Sequence, residues 1–424
     1  MVSLSRFAQS LTVETAFSVL AIARKLKAQG KDVVELEIGD SPFSTPAATK
    51  QAGIQAIQED QTHYCPSPGL PHFREAAAAF VRSEFSIPAT AENVVIVPGA
   101  KILEQYFCEA VLNLGDSVLV FSPYFPTYLP NIQRRGAQAV FCPLRQETGF
   151  RPQVADVASF LETASCPRAI FLNSPHNPTG GVATREDLQQ IADLIRGREV
   201  AVFSDEPYCH MVWNGQHHSL LAEPGMLEQG MAAFTFSKSY SMSGWRLGFA
   251  VTSTPIATAV GRMINTTLSC VPPFVQLAGE AALTQDRAER DSQMERFRQQ
   301  VTQLTDGLNS IPGFHALSPA GTFYVFPNVA PVCNRLGITS HGLAMFLLEA
   351  ADDEIGVACL GGECFGDAGH GFLRFSCAEP PERLQFAVEF LKIAISRTDR
   401  VQRYLQKNPG FVLKAPYAEP IPHR

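Results

Sequence analysis

One short stretch of the chain, TFSKSYSMSGWRLGF, holds two cations with no acid between them. Lys238 lies among hydroxyl-bearing and glycine residues, and Arg246 follows eight positions later. A lysine that is free of a salt bridge can react as an amine with a carbonyl group. An unpaired arginine suits an anion such as a phosphate. The stretch therefore predicts covalent amine chemistry beside an anionic group.

Other polar side chains follow strand-like runs. FLNSPHNPTGG contains Asn173 and Asn177, VFSDEPY contains Asp205 and Tyr208, and AFTFSKS ends near Lys238. Ligands of open α/β sheets lie outside the carboxyl ends of the strands, so we expect these groups to converge. Pyridoxal 5′-phosphate has an aldehyde, a pyridinium nitrogen, a phenolate oxygen and a phosphate. These groups can be bound by an amine, a carboxylate, a phenol, a carboxamide and a second cation, the set found here.

The segments around these residues alternate between strand and helix patterns. NVVIVPGA, SVLVF, RAIFLN, EVAVFSDEPY and MAAFTFSK are predicted strands. TREDLQQIADLIRG is a predicted helix, with Thr184 as its N-cap and Asp187 three residues later, in the manner of a capping box. This alternation predicts an α/β fold, in which helices cover both faces of a mostly parallel sheet.

The length of 424 residues predicts more than one domain. After Pro272 and Pro273 the polar segment DRAERDSQMERFRQQVTQLTDGL carries an apolar stripe typical of an amphipathic helix, and short strands and helices follow it. We expect four parts: an N-terminal segment (1–45) that packs with the small domain, a large cofactor-binding domain (46–290), a smaller α+β domain (291–396) and a C-terminal tail (397–424). The proline-containing tail is expected to wrap the surface or to be loose.

The composition is that of a globular protein, with 46% hydrophobic and 18% charged residues. A net charge of −7 offers no broad attraction for nucleic acid or for an anionic membrane. No apolar run approaches the roughly 18–20 residues of a membrane span, and no convincing signal-peptide cleavage site is present, so we expect a cytoplasmic protein. The ten cysteines are scattered without a His or Cys cluster, which predicts reduced thiols and no metal site.

Four motifs together resemble the class I/II aminotransferases, the pyridoxal-phosphate enzymes of fold type I. SKSYSMSGWRLG is similar to the lysine signature of that family, and NPTGG, SDEPY and LRFS occur in the family's order and rough spacing. The resemblance covers about residues 12–396. It implies a large domain with a mostly parallel mixed sheet flanked by helices, plus a smaller α+β domain. It also implies transfer of an amino group from an L-amino acid to a 2-oxo acid, by a ping-pong path through pyridoxamine phosphate.

The resemblance assigns catalytic roles to individual residues. Lys238 would form the Schiff base with the cofactor and move the proton between substrate Cα and cofactor C4′. Asp205 would pair with the pyridinium nitrogen, and Asn177 and Tyr208 would donate to the phenolate oxygen. Arg246 would bind the phosphate.

It also assigns further contacts with the cofactor. Ala100 and Lys101 would begin a helix whose free amides favour the phosphate. Thr235 stands where the family usually has Ser or Gly, and its hydroxyl is expected to reach the phosphate. Phe125, in place of the more frequent Tyr or Trp, would stack on the ring. Tyr64 matches a tyrosine that reaches the phosphate of the neighbouring subunit, which implies a homodimer with shared sites.

The resemblance specifies substrate recognition less fully than it specifies the cofactor contacts. Arg374 in LRFS would hold the α-carboxylate in a bidentate pair, together with Asn177 and the backbone near Gly39. Lys101 is similar in position to a lysine that aids recognition of acidic substrates in one aspartate aminotransferase subgroup. Phe17, expected to face the site, favours instead an apolar or aromatic side chain or a broad range. Aspartate is one candidate among several.

Two other functions fit parts of the pattern. A pyridoxal-phosphate lyase, such as a cysteine-sulfur lyase or a relative of aminocyclopropane carboxylate synthase, would use the same cofactor without an amino acceptor. A ligand-sensing regulator with the aminotransferase fold would carry a DNA-binding winged helix ahead of it. Only 38 residues precede Gly39 in this sequence, and no basic patch is present, which disfavours the regulator.

Overall fold

A computed structural model describes residues 2–11 and 13–419, so that the last residues of the predicted tail, 420–424, lie outside it. The strands are β1 (Asp32–Glu35), β2 (Val94–Val97), β3 (Ser117–Ser122), β4 (Gln138–Pro143), β5 (Pro167–Asn173), β6 (Ala201–Asp205), β7 (Gly230–Thr235), β8 (Gly248–Thr252), β9 (Tyr324–Val325), β10 (Ile355–Ala358), β11 (Leu360–Gly361) and β12 (Leu373–Ser376). The helices are α1 (Arg6–Ser10), α2 (Thr15–Ala28), α3 (Ala47–Gln58), α4 (Pro71–Phe85), α5 (Lys101–Val111), α6 (Tyr128–Arg134), α7 (Val154–Thr163), α8 (Arg185–Ile195), α9 (Met226–Gln229), α10 (Thr254–Thr267), α11 (Pro273–Gln285), α12 (Arg287–Asn309), α13 (Ala330–Leu336), α14 (Ser340–Glu349), α15 (Pro381–Ala394) and α16 (Thr398–Lys407).

The largest sheet has the strand order β2-β8-β7-β6-β5-β3-β4. β8 runs antiparallel to both of its neighbours, and the remaining neighbours are parallel. Alternate residues of β2 enter two different apolar clusters: Val94 and Ile96 join α4 and α11, whereas Val95 and Val97 join α5 and α10. Both faces are therefore covered, which explains why these strands are continuous apolar runs. The predicted α/β fold is confirmed.

The register of this sheet brings the polar strand ends together. Asn173 at the end of β5 pairs with Asp205 at the end of β6, and Asp205 pairs in turn with Ala233 of β7. Lys238 follows the end of β7 by three residues. Because β5, β6 and β7 are parallel neighbours, their carboxyl ends lie at one edge of the sheet and present these side chains to the same space.

Two smaller sheets position the arginine of LRFS. β12, which carries Arg374, lies between β11 and β9 and is antiparallel to both. β1 near the N-terminus pairs in parallel with β10, from Asp32 opposite Ile355 to Glu35 opposite Ala358. The chain that leaves β1 continues into the segment of Gly39, so this pairing joins the N-terminal segment to the part of the chain that holds Arg374.

The segment predicted as a tail contains helix α16, which the proline content had concealed. Val401 and Tyr404 are its buried residues, and the Tyr404 hydroxyl donates to Glu349 of α14 at 2.6 Å. Farther on, the Tyr417 hydroxyl donates to Glu363 at 2.9 Å. As far as residue 419, the tail is therefore packed against the rest of the chain, which agrees with the first of the two expected alternatives, a segment that wraps the surface.

Within residues 2–11 and 13–419, no helix is long and apolar enough to cross a membrane. All ten cysteines lie in these ranges and have free thiols. Burial raises the pKa of Cys108, Cys209, Cys333, Cys359 and Cys377 above the ordinary value of a thiol, which makes these side chains inert core groups.

Candidate active site

One cavity of about 550 Å³ lies at the carboxyl ends of β5, β6 and β7. It brings together nearly all of the residues that the sequence had singled out, namely Phe17, Gly39, Ala100, Lys101, Phe125, Asn177, Asp205, Tyr208, Thr235, Lys238, Arg246 and Arg374. Tyr64 is the exception, because it does not line the cavity and is 88% exposed.

One end of the cavity is built to receive an anion. α5 begins at Lys101, directly after Ala100, so the first backbone amides of the helix have no partner within the helix. Thr235, Ser237 and Arg246 line the same end. Helix amides, two hydroxyls and a guanidinium group together form an ordinary setting for a phosphate.

A glycine allows the guanidinium group of Arg246 to approach the start of α5. Gly99 has a φ of +83°, and a Cβ atom on it would lie 2.3 Å from Arg246 Nη2. Arg246 itself has a φ of +53°, and its Nη1 donates to the carbonyl oxygen of Ser243 at 2.6 Å. Any side chain at position 99 would therefore push the cation out of its place.

Asp205 contributes a carboxylate to the cavity wall. Asp205 accepts a hydrogen bond of 2.5 Å from the hydroxyl of Tyr128. Burial raises the pKa of Asp205 from 3.8 to about 7, although the Tyr128 hydrogen bond acts in the opposite direction. An acid held in this way is stabilised in its charged form by a nearby cation, so the site suits a protonated ring nitrogen.

Asn173 fixes the loop that follows β5. Its Nδ2 donates to the backbone oxygen of Asp205 at 2.9 Å, and its Oδ1 accepts from the backbone N–H of Asn177 at 2.9 Å. Asn177 Oδ1 accepts from Arg374 Nη1 at 3.1 Å, which leaves the Asn177 Nδ2 as a donor for a ligand. The NPTGG loop is thus tied to β6 on one side and to β12 on the other.

Lys238 is held by a carbonyl group and not by a carboxylate. Its Nζ donates to the backbone oxygen of Gly39 at 2.5 Å. Tyr324 packs so closely on Gly39 that a Cβ atom there would lie 1.8 Å from its hydroxyl oxygen. The Tyr324 and Tyr208 hydroxyl oxygens are 3.2 Å apart. The amine, two phenols and a backbone carbonyl therefore meet at one point.

Arg374 is a buried cation with spare hydrogen-bonding capacity. Nη2 donates to the backbone oxygen of Glu37 at 2.5 Å, and the guanidinium carbon lies 4.3 Å from the ring centre of Tyr324. Its Nε is buried without a hydrogen-bond partner among the described residues. A buried charge with an unmet donor is costly, so this arginine is suited to an anionic ligand.

Comparisons with known proteins agree with this geometry. Residues 31–391 match the family described as aminotransferase class I and II. The chain is 33% identical to the probable aspartate/prephenate aminotransferase of Aquifex aeolicus, over 89% of this chain and 95% of that protein. The chain belongs to the class I and II aminotransferases. Its fold is likewise similar to the aspartate aminotransferase of Thermus thermophilus with maleate, with a TM-score of 0.86, 31% identity and coverage of 93% and 100% of the two chains.

The aminotransferase is also 32% identical to the arginine–pyruvate transaminase of Pseudomonas aeruginosa, over 85% of this chain and 89% of that protein. The printed names of these relatives thus include different amino-group donors. Membership of the family makes the chain a transferase of amino groups, whereas its own substrate has to be inferred from its own cavity.

The sequence alone did not identify several residues that shape the aminotransferase cavity. Tyr128 lies within SPYFPTY, but only the fold brings its hydroxyl to Asp205. Tyr324 lies on the two-residue strand β9, 86 positions after Lys238. Glu14 and Glu104 line the cavity as well, at positions where no local motif marks an acid as functional.

Glu37 is an unusual buried acid beside Arg374. It is fully buried, and neither carboxylate oxygen has a hydrogen-bond partner among the residues described. Burial raises its pKa from 4.5 to about 7, and Arg374 counteracts this rise in part. Between these two values the unfolded chain releases the proton while the folded chain keeps it, so stability falls as the pH rises through this interval.

Glu37→Gln is therefore expected to stabilise the aminotransferase at alkaline pH. The gain is expected to be on the order of 3 kcal/mol at about pH 8 and clearly smaller at about pH 5, where the native Glu37 is already neutral. Urea unfolding at the two pH values measures this difference. Glu162→Gln, at an exposed position on α7, is the matched control. An equal effect of Glu37→Gln at both pH values would contradict the assignment.

Proposed function

We propose that this aminotransferase uses pyridoxal 5′-phosphate to move the amino group of an L-amino acid to a 2-oxo acid in two successive half-reactions. The observation that carries the proposal is the composition of the cavity. It combines an amine that donates to a backbone carbonyl, a partly buried carboxylate with a raised pKa, and a buried arginine whose Nε has no partner among the described residues.

The residues present fit this cofactor. Arg246, Thr235, Ser237 and the first amides of α5 would hold the phosphate, and the close approach of Arg246 to Gly99 supports this assignment. Asp205 would pair with the ring nitrogen, and the orientation of its carboxylate by Tyr128 supports that role.

Three further side chains would hold the ring. Asn177 and Tyr208 would donate to the phenolate oxygen, and Phe125 would stack against the ring. The cation–aromatic contact of Lys101 with Phe125, at 5.1 Å, supports a fixed position for that ring.

When bound, the cofactor supplies an aldehyde for amines and a ring that accepts the electrons released from the substrate Cα–H bond. Lys238 Nζ would take the proton from substrate Cα and deliver it to cofactor C4′, since it lies in the cavity wall beside the Gly39 carbonyl. Asp205 would keep the ring nitrogen protonated. Arg374 would fix the substrate α-carboxylate through Nε and a terminal nitrogen, which orients Cα toward Lys238.

Gly99→Ala tests the phosphate site. The new methyl group would displace Arg246, and the backbone at φ +83° would be strained as well. We expect the dissociation constant for pyridoxal phosphate to rise by about 30-fold, which corresponds to a loss of about 2 kcal/mol. Absorbance titration of the cofactor-free enzyme measures this change.

Gly115→Ala separates displacement of Arg246 from backbone strain. Gly115 has a φ of +90°, and no described atom lies within 4 Å of the position of its Cβ. This variant is expected to lose stability without a comparable loss of cofactor affinity. Equal losses of affinity in both variants would show that strain, and not the clash with Arg246, is the cause.

We also propose a homodimer with shared active sites. Tyr64 lies on the segment between α3 and α4, and its side chain is almost fully exposed and outside the cavity of its own chain. These features support a role at the cavity of a second copy. Light scattering would test this state, since it gives the mass of the assembly directly.

The domain limits remain part of the proposal, with a large domain at 46–290, a small domain at 291–396 and the N-terminal segment 1–45 belonging to the latter. The parallel pairing of β1 with β10 supports that last assignment. We propose the cytoplasm as the compartment, and the ten free cysteines, five of which are buried, support a reducing environment.

Isotope transfer tests the proposed reaction. With an amino acid donor labelled at its amino nitrogen and 2-oxoglutarate as acceptor, an aminotransferase places the label in glutamate. A lyase, which uses the same cofactor, instead releases the label as ammonia without any acceptor. Label in ammonia alone would contradict the proposal.

A further inference from the structure

The end of the cavity near α2 contains an ion pair that the cofactor does not require. Lys101 at the start of α5 donates to the carboxylate of Glu14, and both residues line the cavity. Glu14 is the N-cap residue of α2, but its side chain makes no capping hydrogen bond. Glutamate is not among the residues preferred as helix N-caps, and the Glu14 carboxylate pairs with Lys101 and not with the helix amides.

The Glu14–Lys101 pair sets the charge of the cavity wall next to a substrate side chain. Of the cations described in the cavity wall, the proposed function assigns Lys238 and Arg246 to the cofactor and Arg374 to the α-carboxylate. Lys101 is the one that remains, and Glu14 neutralises it. Asp40 and Glu104 also line the cavity without an assigned contact to the cofactor, and as acids they cannot supply a positive charge. The side-chain end of the cavity therefore offers no unpaired cation among the described residues.

The same end offers apolar surface. Ala16 and Phe17 on the first turn of α2 and Ile38 after β1 line the cavity. Phe17 is 53% exposed, although it faces a cavity. A half-exposed aromatic ring beside a neutralised cation is suited to contact with an apolar side chain, since burial of both surfaces is favourable.

We propose that Glu14 is a specificity-determining residue, which neutralises Lys101 and makes the enzyme select amino acids with apolar or aromatic side chains over acidic ones. This inference rests on the proposed function of the same cavity. A substrate carboxylate at this end would either compete with Glu14 for Lys101 or lie beside the Glu14 charge, and both arrangements are unfavourable.

Binding of two unreactive acids to the holoenzyme tests the inference. The probes are 3-phenylpropanoate, with an aromatic side chain, and maleate, with a second carboxylate, each titrated by the change in the cofactor absorbance. The native enzyme is expected to bind 3-phenylpropanoate at least about tenfold more tightly than maleate. In Glu14→Gln the ratio of the two dissociation constants is expected to move toward maleate by about tenfold, because Lys101 becomes available to the second carboxylate.

Two variants sharpen the result. The double variant with Glu14→Gln and Lys101→Met should lose the gain in maleate affinity that Glu14→Gln alone produces. Glu109→Gln is the control variant. It removes an acid on α5, the helix of Lys101, that pairs with Arg134 at 3.7 Å outside the cavity, and it should leave the ratio of the two dissociation constants unchanged. Two results, in enzyme with a normal cofactor spectrum, would overturn the inference. One is tighter binding of maleate than of 3-phenylpropanoate by the native enzyme. The other is the same ratio of the two dissociation constants in Glu14→Gln as in the native enzyme. Absence of a cofactor band from every variant would overturn the proposed function and this inference with it.

Discussion

Replacing Lys238 with alanine is expected to remove the visible absorption band of the bound cofactor and to lower kcat/KM by more than about 10⁴-fold. Proton transfer by a positioned side chain contributes about 10²–10⁴-fold, and the covalent attachment of the cofactor is lost at the same time. The 2.5 Å contact of Lys238 Nζ with a neutral carbonyl places no acid in competition with these roles. Absorbance spectra and steady-state kinetics measure both effects.

Rescue by a small amine distinguishes chemistry from misfolding in this variant. Added methylamine is expected to restore part of the lost rate to Lys238→Ala, since it supplies an amine at the same place. Lys407→Ala, an exposed lysine at the end of α16, is the matched control with native activity. Retention of the visible band by Lys238→Ala would show that another amine of the chain holds the cofactor.

Replacing Asp205 with alanine is expected to lower kcat/KM by about 10³-fold, the second largest effect. Removing one partner of a buried ion pair costs about 3–5 kcal/mol, and each 1.4 kcal/mol is about a factor of ten in rate. The raised pKa of Asp205 indicates how strongly this place disfavours an unpaired charge. Kinetics with saturating cofactor separate this loss from weaker cofactor binding.

Two comparisons define the role of Asp205. Tyr128→Phe removes only the 2.5 Å hydrogen bond to the carboxylate and is expected to cost about tenfold, since a hydrogen bond to a charged group contributes about 1.5–3 kcal/mol. Asp193→Ala removes an aspartate from the surface of α8 and should retain native rates. A loss of less than about threefold in Asp205→Ala would argue against its pairing with the ring nitrogen.

The fold and most of the cavity were predictable because their signals are local. Continuous apolar runs marked β5, β6 and β7, and the capping box of Thr184 and Asp187 marked the start of α8, as the structure confirms. Asp205 ends such a strand, and Asn177 and Lys238 follow one, so the parallel order of the strands was sufficient to bring them together.

The remainder depends on contacts between distant segments, which no local pattern encodes. The Glu14–Lys101 pair joins residues 87 positions apart, and Tyr128 lies 77 positions before the Asp205 that it binds. Helix α16 was missed for a different reason, because the prolines that follow it dominated the composition of the tail. Glu37 was unmarked as well, since only the folded chain shows that its carboxylate has no partner.

A single-turnover experiment tests the central claim most directly. The holoenzyme is mixed with an L-amino acid in the absence of any oxo acid, and the cofactor absorbance and the oxo acid product are measured together. Amino-group transfer predicts that the visible band moves to the ultraviolet, that product formation stops at one molecule for each active site, and that 2-oxoglutarate restores the band. Continued formation of oxo acid with release of ammonia and a persistent visible band would contradict the claim.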